Sequence, residues 1–175
     1  MEIPPAPGAA AARSDVSDGV SYRGMQPGEA AAVSALILSS FDEFIGPELT
    51  SEGNAEFRRF VAPEAIEART AEDHFVRVAT VDGVLAGMIE IRDNNHVALL
   101  FVDKAHQHHG IAKGLLHAAL AAARVANPDL ERVTVNSSRY GVPAYERLGF
   151  RQTGPERAVN GIAFIPMAMR LDADL

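Results

Sequence analysis

The sequence predicts a single α/β (α+β) domain in which helices flank one central sheet of mixed, mostly antiparallel strands. Three observations support this class. Apolar residues first recur with helical spacing, their period changes to two at His74, and helix and strand patterns alternate after Gly110. Of the 175 residues, 47% are hydrophobic and 22% are charged. This composition is typical of an ordinary globular domain.

The first third of the chain predicts one strand and then helices. A short strand is expected from Val20 to Met25, and an apolar-rich helix from about Glu29 to Phe44. A weaker helical region runs from about Ser51 to Arg69. It is interrupted near Pro63, because a proline ring clashes with the interior of a helix.

The middle of the chain predicts an antiparallel meander of three strands. Phe75 to Val81, Val84 to Ile91 and His96 to Val102 are rich in β-branched and aliphatic residues. Asp82-Gly83 and Asp93-Asn94-Asn95 separate them, and both are good sequences for tight turns.

The last third of the chain predicts helices that alternate with strands. An alanine- and leucine-rich helix is predicted from Ile111 to Val125, a strand from Arg132 to Asn136, and a short helix from Gly141 to Leu148. A final hairpin pairs Phe150 to Gln152 with Ile162 to Leu171. We therefore interpret residues 19–175 as one domain, and residues 1–18 as a flexible tail.

Composition and charge exclude several functions. The formal net charge is -7, which argues against a nucleic-acid partner, because phosphate backbones recruit lysine and arginine. A cationic or neutral small partner fits this charge better. There is no cysteine, so the chain has no disulfide and no thiolate nucleophile or thiolate metal ligand.

The sequence also indicates the compartment. No apolar run approaches the roughly 18 to 20 residues that cross a bilayer, and the amino terminus lacks the basic region of a signal peptide. The lack of cysteine suits a reducing compartment. We expect a cytoplasmic protein with no membrane partner.

The stretch AHQHHGIAKG, from Ala105 to Gly114, follows the third meander strand and leads into the long helix. Backbone N–H groups at a helix start are unpaired and lie at the positive end of the helix dipole, so this turn predicts a phosphate site. Gly110 allows a ligand to approach the backbone closely. Neither G-x-x-x-x-G-K-[ST] nor a G-x-G-x-x-G after the first strand occurs, so P-loop and dinucleotide chemistry lose their support.

Three of the six histidines lie in this stretch, as His106, His108 and His109. A metal would need their side chains to converge, whereas a loop around a phosphate should point them in different directions. We expect no metal, and consider the imidazoles of His108 and His109 as possible contacts to phosphate.

Two motifs carry a resemblance. Gln107 to Ala112 matches the pattern [Gln or Arg]-x-x-Gly-x-[Gly or Ala], and Val142 to Phe150, VPAYERLGF, is similar to a tyrosine-bearing helix that ends in Gly-Phe. With the element order, they make the chain from roughly Tyr22 to Leu171 resemble the GNAT family, the Gcn5-related N-acetyltransferases. The resemblance implies the GNAT acyl-CoA N-acyltransferase fold, in which strands 4 and 5 splay apart, and acetyl-CoA as cosubstrate.

The resemblance also implies which residues bind acetyl-CoA. Backbone groups at the end of the fourth strand would pair with the pantetheine arm, amides of the loop would surround the pyrophosphate, and polar groups of the fifth strand would lie beside the CoA. The residues concerned are Phe101, Val102, Gln107, His108, His109, Gly110, Ile111, Ala112, Lys113, Asn136 and Ser138.

The catalytic candidates are Tyr145, His96 and Glu90. A phenol with an ordinary pKa of about 10 can protonate the thiolate that leaves as an amine attacks a thioester; the alternative is that Tyr145 only packs on the sheet. The base that deprotonates the amine is His96, Glu90 or a water. Strand alternation places His96 on the same face as Leu100 unless a bulge intervenes.

Two functional classes follow. The first is an acetyl-CoA-dependent N-acetyltransferase, in which a primary amine of a small molecule or a protein attacks directly in a ternary complex. The alternative is a noncatalytic acyl-CoA-binding or regulatory module, in which Tyr145 would be structural. By analogy with the family, a homodimer is possible.

Overall fold

The structure is a computed structural model, and it describes residues 19–172. The first 18 residues, predicted to be a flexible tail, lie outside the described residues. The helices are α1 (Ala30–Phe44), α2 (Ser51–Phe60), α3 (Pro63–Thr70), α4 (Ile111–Ala126) and α5 (Val142–Leu148). The strands are β1 (Val20–Gly24), β2 (His74–Val81), β3 (Val84–Arg92), β4 (His96–Val102), β5 (Arg132–Ser137), β6 (Arg151–Gln152), β7 (Arg157–Val159) and β8 (Ile162–Arg170).

The strands form one open mixed sheet. Its order within the described residues is β1-β2-β3-β4-β5-β8-β6, and β7 pairs with β8 outside this path. The β4–β5 pair is parallel and the other pairs are antiparallel. The predicted fold class, a mostly antiparallel sheet flanked by helices, is confirmed.

Helices cover the sheet on both faces because each has one apolar stripe. Val33, Ile37 and Phe41 recur at helical spacing in α1 and are fully buried. On the other face, α4 packs against strands β1 to β4, and its residues Ile111 and Leu115 are buried there. Burying each such side chain stabilises the fold by about 1.5 to 3 kcal/mol.

The interruption predicted near Pro63 is confirmed, whereas the final hairpin contains more than was predicted. The helical region from Ser51 to Arg69 is two helices, because Pro63 cannot lie inside a helix but fits the first turn of α3. The final hairpin also contains a further strand, β7. Asn160 and Gly161 connect β7 to β8 with φ values of 51° and 77°, a conformation that favours an Asn-Gly turn. The Asn-Gly dipeptide is the feature of the sequence that could have predicted β7.

Strands β4 and β5 diverge soon after they meet. They pair only at His96 with Thr134 and at Val97 with Val135, so the predicted splay is confirmed. The register between β3 and β4 also shifts, because Ile91 pairs with Val97 but Glu90 pairs with Leu99. A cleft therefore opens between the ends of β4 and β5.

The register shift leaves Ala98 as an extra residue in β4, which is a β-bulge. Val97 and Leu100 both pack on the α4 side of the sheet, whereas Leu99 packs on the α1 side. Because neighbouring residues of a strand alternate, His96 lies on the face opposite to Leu100. The shared face was expected only for a strand without a bulge, and the bulge places the two residues on opposite faces.

None of the helices in residues 19–172 is long and apolar enough to cross a membrane.

Candidate active site

A cavity of about 720 Å³ occupies the cleft between β4 and β5, a size typical of small-molecule sites. Most of the predicted site residues line it. They are Phe101, Val102, Gln107, His108, Gly110, Ile111, Ala112, Lys113, Asn136, Ser138 and Tyr145. His109, His96 and Glu90 are not among the described residues that line it.

One end of the cavity is the start of α4. Gly110 precedes the helix in a left-handed conformation with φ of 78°, and no side chain caps the helix. The first helical hydrogen bond runs from Gly114 N to Gly110 O, over 3.0 Å. The amides of Ile111, Ala112 and Lys113 therefore have no helical acceptor, and they present an anion site to the cavity.

The loop histidines do not form a cluster. His106 Nδ1 lies 3.2 Å from Asp103 Oδ2, while His108 and His109 are exposed. In the part of the chain that the structure describes, no group of three or more histidine, cysteine, aspartate or glutamate side chains is arranged to hold a metal ion.

The walls of the cleft carry polar groups from β4 and β5. The Val102 carbonyl accepts a hydrogen bond of 3.2 Å from Gln107 Nε2, which ties the loop to the end of β4. Asn136 is exposed at the end of β5 and faces Pro166 in the register. Ser138 Oγ accepts a hydrogen bond of 3.0 Å from Gly141 N, at the start of α5. Ser138 follows the end of β5, and Asn136 is the freer of these two predicted contacts.

Tyr145 projects from α5 into the cavity. Its ring packs edge-on against Phe150, with 5.4 Å between centroids, and burial raises the pKa of its phenol. Among the described residues its hydroxyl has no hydrogen-bond partner. Every fully buried polar side-chain atom of these residues does have a partner, so the Tyr145 hydroxyl is not fully buried. The hydroxyl is therefore open to the cavity, protonated and available to donate.

Glu90 is bound by other side chains. It is fully buried, and its carboxylate accepts hydrogen bonds from Arg69 Nε at 2.7 Å and Arg69 Nη2 at 3.0 Å. His74 Nδ1 lies 2.9 Å from the same carboxylate. Both oxygens of the Glu90 carboxylate are therefore occupied by contacts within the protein.

His96 is also held away from the cavity. It is 9% exposed, and its Nδ1 lies 2.7 Å from Thr134 Oγ1. Burial, aided by the charges of Arg92 and His74, lowers the pKa of His96 to about 4. The roles of His96 and Glu90 as bases stay predictions, and neither side chain has direct access to the described cavity.

The depressed pKa of His96 predicts an acid-sensitive fold. The folded pKa of about 4 is below the ordinary value of 6.5, so the stabilisation is present above pH 6.5 and is lost as the pH falls toward 4. Between pH 7 and pH 4, wild type should lose roughly 3 kcal/mol more unfolding free energy than His96→Gln. Urea titrations measure this, with exposed His117→Gln as control. Equal losses in wild type and His96→Gln would contradict the assignment.

No motif in the sequence identifies the other end of the cavity. It is lined by residues of α1, the segment that follows it, α2 and β8. Phe44 stacks on Tyr140 with 4.8 Å between centroids and an interplanar angle of 9°. The only signal was the apolar spacing of α1, which does not distinguish a cavity wall from the core.

An open α/β sheet whose parallel strands splay beside an anion-binding helix start defines the fold of the GNAT acetyltransferases. The family model described as an acetyltransferase (GNAT) domain matches residues 45–171. The chain belongs to this family.

Solved structures share the fold. A GCN5-related N-acetyltransferase (aminotransferase, class-II) from Rhodopseudomonas palustris is 19% identical, with 86% of this chain and 94% of that chain covered and a TM-score of 0.73. The PaiA N-acetyltransferase from Thermoplasma acidophilum, in complex with coenzyme A, is 15% identical, with 87% and 99% covered and a TM-score of 0.71. N-acetylglutamate synthase from Neisseria gonorrhoeae, complexed with coenzyme A and N-acetyl-glutamate, is 20% identical, with 87% and 35% covered and a TM-score of 0.63. No curated protein matches the chain.

Proposed function

We propose that the chain transfers the acetyl group of acetyl-CoA to a primary amine, which attacks directly in a ternary complex. One observation carries this proposal: a single cavity brings together the unpaired amides of α4, the splayed edges of β4 and β5, and the unpartnered hydroxyl of Tyr145. The family and the coenzyme A complexes of similar folds support it.

The two ends of acetyl-CoA require different groups of the chain. The amides of Ile111 to Lys113 suit the pyrophosphate, and the exposed imidazoles of His108 and His109 can add charge when protonated. The pantetheine arm fits the unpaired edge of β4 at Phe101 and Val102, where it takes the position of a neighbouring strand. Asn136 and Ser138 border the arm on the β5 side.

Tyr145 supplies the acid. As the nitrogen–carbon bond forms and the carbon–sulfur bond breaks, the phenol donates its proton to the departing sulfur, and solvent later restores that proton. Its raised pKa keeps the donor protonated over the physiological range. A noncatalytic CoA-binding module would not require an unpartnered phenol at this point of the cavity, and this favours the enzyme.

The amine loses its proton to water in this proposal. His96 and Glu90 do not line the described cavity. The end of the cavity lined by α1, α2 and β8 is apolar, which lowers the pKa of an ammonium group that enters it. The rate should therefore follow the free-amine fraction. A cytoplasmic location and a homodimer stay predictions beside this mechanism; the lack of cysteine suits the former.

Incubation with acetyl-CoA and a panel of primary amines tests the function. We expect free CoA thiol to form together with N-acetylated amine in equal amounts, measured with a thiol reagent and by mass spectrometry. Thiol release without acetylated amine, or no turnover at all, would contradict the proposal.

The substitution Ala112→Asp is designed to weaken the binding of CoA. A carboxylate in the first turn of α4 suits the helix dipole but repels pyrophosphate, so CoA affinity should fall at least ~10-fold, the equivalent of ~1.4 kcal/mol. Ala121→Asp is the matched control, since it adds the same charge to an exposed position farther along α4. Equal CoA affinity of the two variants in calorimetry would place the pyrophosphate elsewhere.

A further inference from the structure

The end of the cavity that acetyl-CoA leaves free is almost entirely apolar. Once the start of α4 and the backbone edges of β4 and β5 are assigned to acetyl-CoA, the remaining walls include α1, the segment that follows it, α2, β8 and the Phe101 side chain of β4. We call this the aromatic end, and define it by Phe44, Leu49, Phe57, Phe101, Ile162 and Phe164. Its assignment to the amine rests on the proposed function.

The aromatic end is a connected set of rings. Phe57 stacks on the buried Phe41 with 4.0 Å between centroids and an angle of 10°. Phe57 also lies 6.2 Å from Phe101, tilted by 56°. The rings thus join α1, α2 and β4 into walls that favour offset or edge-on contact with a further ring.

The aromatic end has no partner for an additional positive charge. None of the described residues that line the cavity is aspartate or glutamate. Glu48, which follows Pro47 and precedes Leu49, is exposed and lies with Arg139 in a small adjoining pocket. Near the mouth of the cavity Lys104 pairs with Glu43, and Arg139 pairs with Glu156. An ammonium group in the aromatic end would lose its water, and the faces of the rings would return only part of that cost.

The aromatic end is also closed on one side. A Cβ atom at Gly53 would lie 2.2 Å from the carbonyl oxygen of Gly161, and a Cβ at Gly161 would lie 2.5 Å from Thr50 Oγ1. The start of α2 and the turn before β8 therefore touch backbone to backbone, beside the lining residues Leu49 and Ile162. This contact leaves no groove for a polypeptide segment at that place.

We infer that the acceptor is a small monoamine whose body is aromatic or apolar. Such an amine fills the aromatic end with its body and presents a nitrogen toward Tyr145. A polyamine would bury a second ammonium group, and a segment of a protein could not reach the aromatic end through the contact between α2 and the turn.

Matched substrates test the charge requirement. Hexylamine and 1,6-diaminohexane differ only by a terminal ammonium group, so their kcat/KM values with acetyl-CoA isolate its cost. We expect hexylamine to be preferred at least ~100-fold, since desolvating an unpaired charge exceeds ~2.7 kcal/mol. We expect 2-phenylethylamine to match or exceed hexylamine, and a lysine peptide to be a poor substrate.

A negative charge introduced into the aromatic end should weaken this preference. Leu49→Glu supplies a carboxylate, so it should raise the kcat/KM ratio of diamine to monoamine at least ~10-fold. Leu49→Gln is the matched control, and it should lower monoamine turnover without raising that ratio. A wild type that prefers the diamine or the peptide, or an equal ratio in the two variants, overturns this inference alone. No turnover with any amine overturns the proposed function as well.

Discussion

Replacing Tyr145 with phenylalanine is expected to lower kcat about 100-fold, which corresponds to ~2.7 kcal/mol of transition-state stabilisation. The substitution removes the only proton donor that we assign to the departing sulfur. It leaves the ring in place against Phe150, so the KM for acetyl-CoA should change little. Steady-state kinetics with a primary amine at saturating acetyl-CoA measures the effect.

Tyr22→Phe is the matched control for Tyr145→Phe. Tyr22 is also partly buried, and burial raises the pKa of its phenol. It packs on α4 at Gly114, where a Cβ would lie 2.0 Å from the phenol oxygen, and it does not line the cavity. Activity of Tyr145→Phe equal to that of Tyr22→Phe would remove the acid from the mechanism. It would favour the alternative that Tyr145 only packs on the sheet.

Of the variants proposed here, Arg69→Met should lose the most stability, about 3 to 5 kcal/mol of unfolding free energy. The variant leaves the Glu90 carboxylate fully buried without its guanidinium partner. It also removes a hydrogen bond from Arg69 Nη1 to the Phe60 carbonyl, and the contact of the guanidinium with the Phe60 ring at 3.8 Å. Chemical denaturation at pH 7 measures the loss.

Two further variants separate charge from packing at this pair. Arg59→Met removes an exposed arginine that pairs with Glu56 on α2, and should cost at most ~1 kcal/mol. Adding Glu90→Gln to Arg69→Met removes the buried charge and should recover part of the loss. A loss for Arg69→Met no larger than that for Arg59→Met would contradict the buried ion pair. It would also reopen Glu90 as a candidate base.

The elements and the turn before α4 could be predicted because their signals are local. The predicted bounds of β4 agree with the structure, and α4 differs from its prediction by one residue at the carboxyl end. The turn around Gly110 needs a particular backbone conformation, and a few adjacent residues encode it. Periodicity and short motifs capture such features without any information on tertiary contacts.

The environments of the predicted bases could not be deduced in this way. The bulge at Ala98 arises from pairing between β3 and β4, and it moves His96 to the other face of the sheet. The partner of Glu90 is Arg69, which lies 21 residues earlier, on α3. A strand pattern cannot indicate either contact, because each depends on which elements pack together.

Composition and the lining of the cavity give different indications of the acceptor. The net charge of -7 favours a cationic partner weakly, but none of the described residues that line the cavity is acidic. Glu43 and Glu156 lie near the mouth and pair with basic side chains. Total charge acts on association with partners at long range, whereas selection of the acceptor depends on the few side chains that touch it.

A crystal structure of the complex with coenzyme A tests the central claim most directly. We predict the pyrophosphate within hydrogen-bond distance of the amides of Ile111 to Lys113, and the pantetheine arm between β4 and β5. The sulfur should lie within hydrogen-bond distance of the Tyr145 hydroxyl. Coenzyme A bound outside this cleft, or a sulfur that Tyr145 cannot reach, would contradict the account.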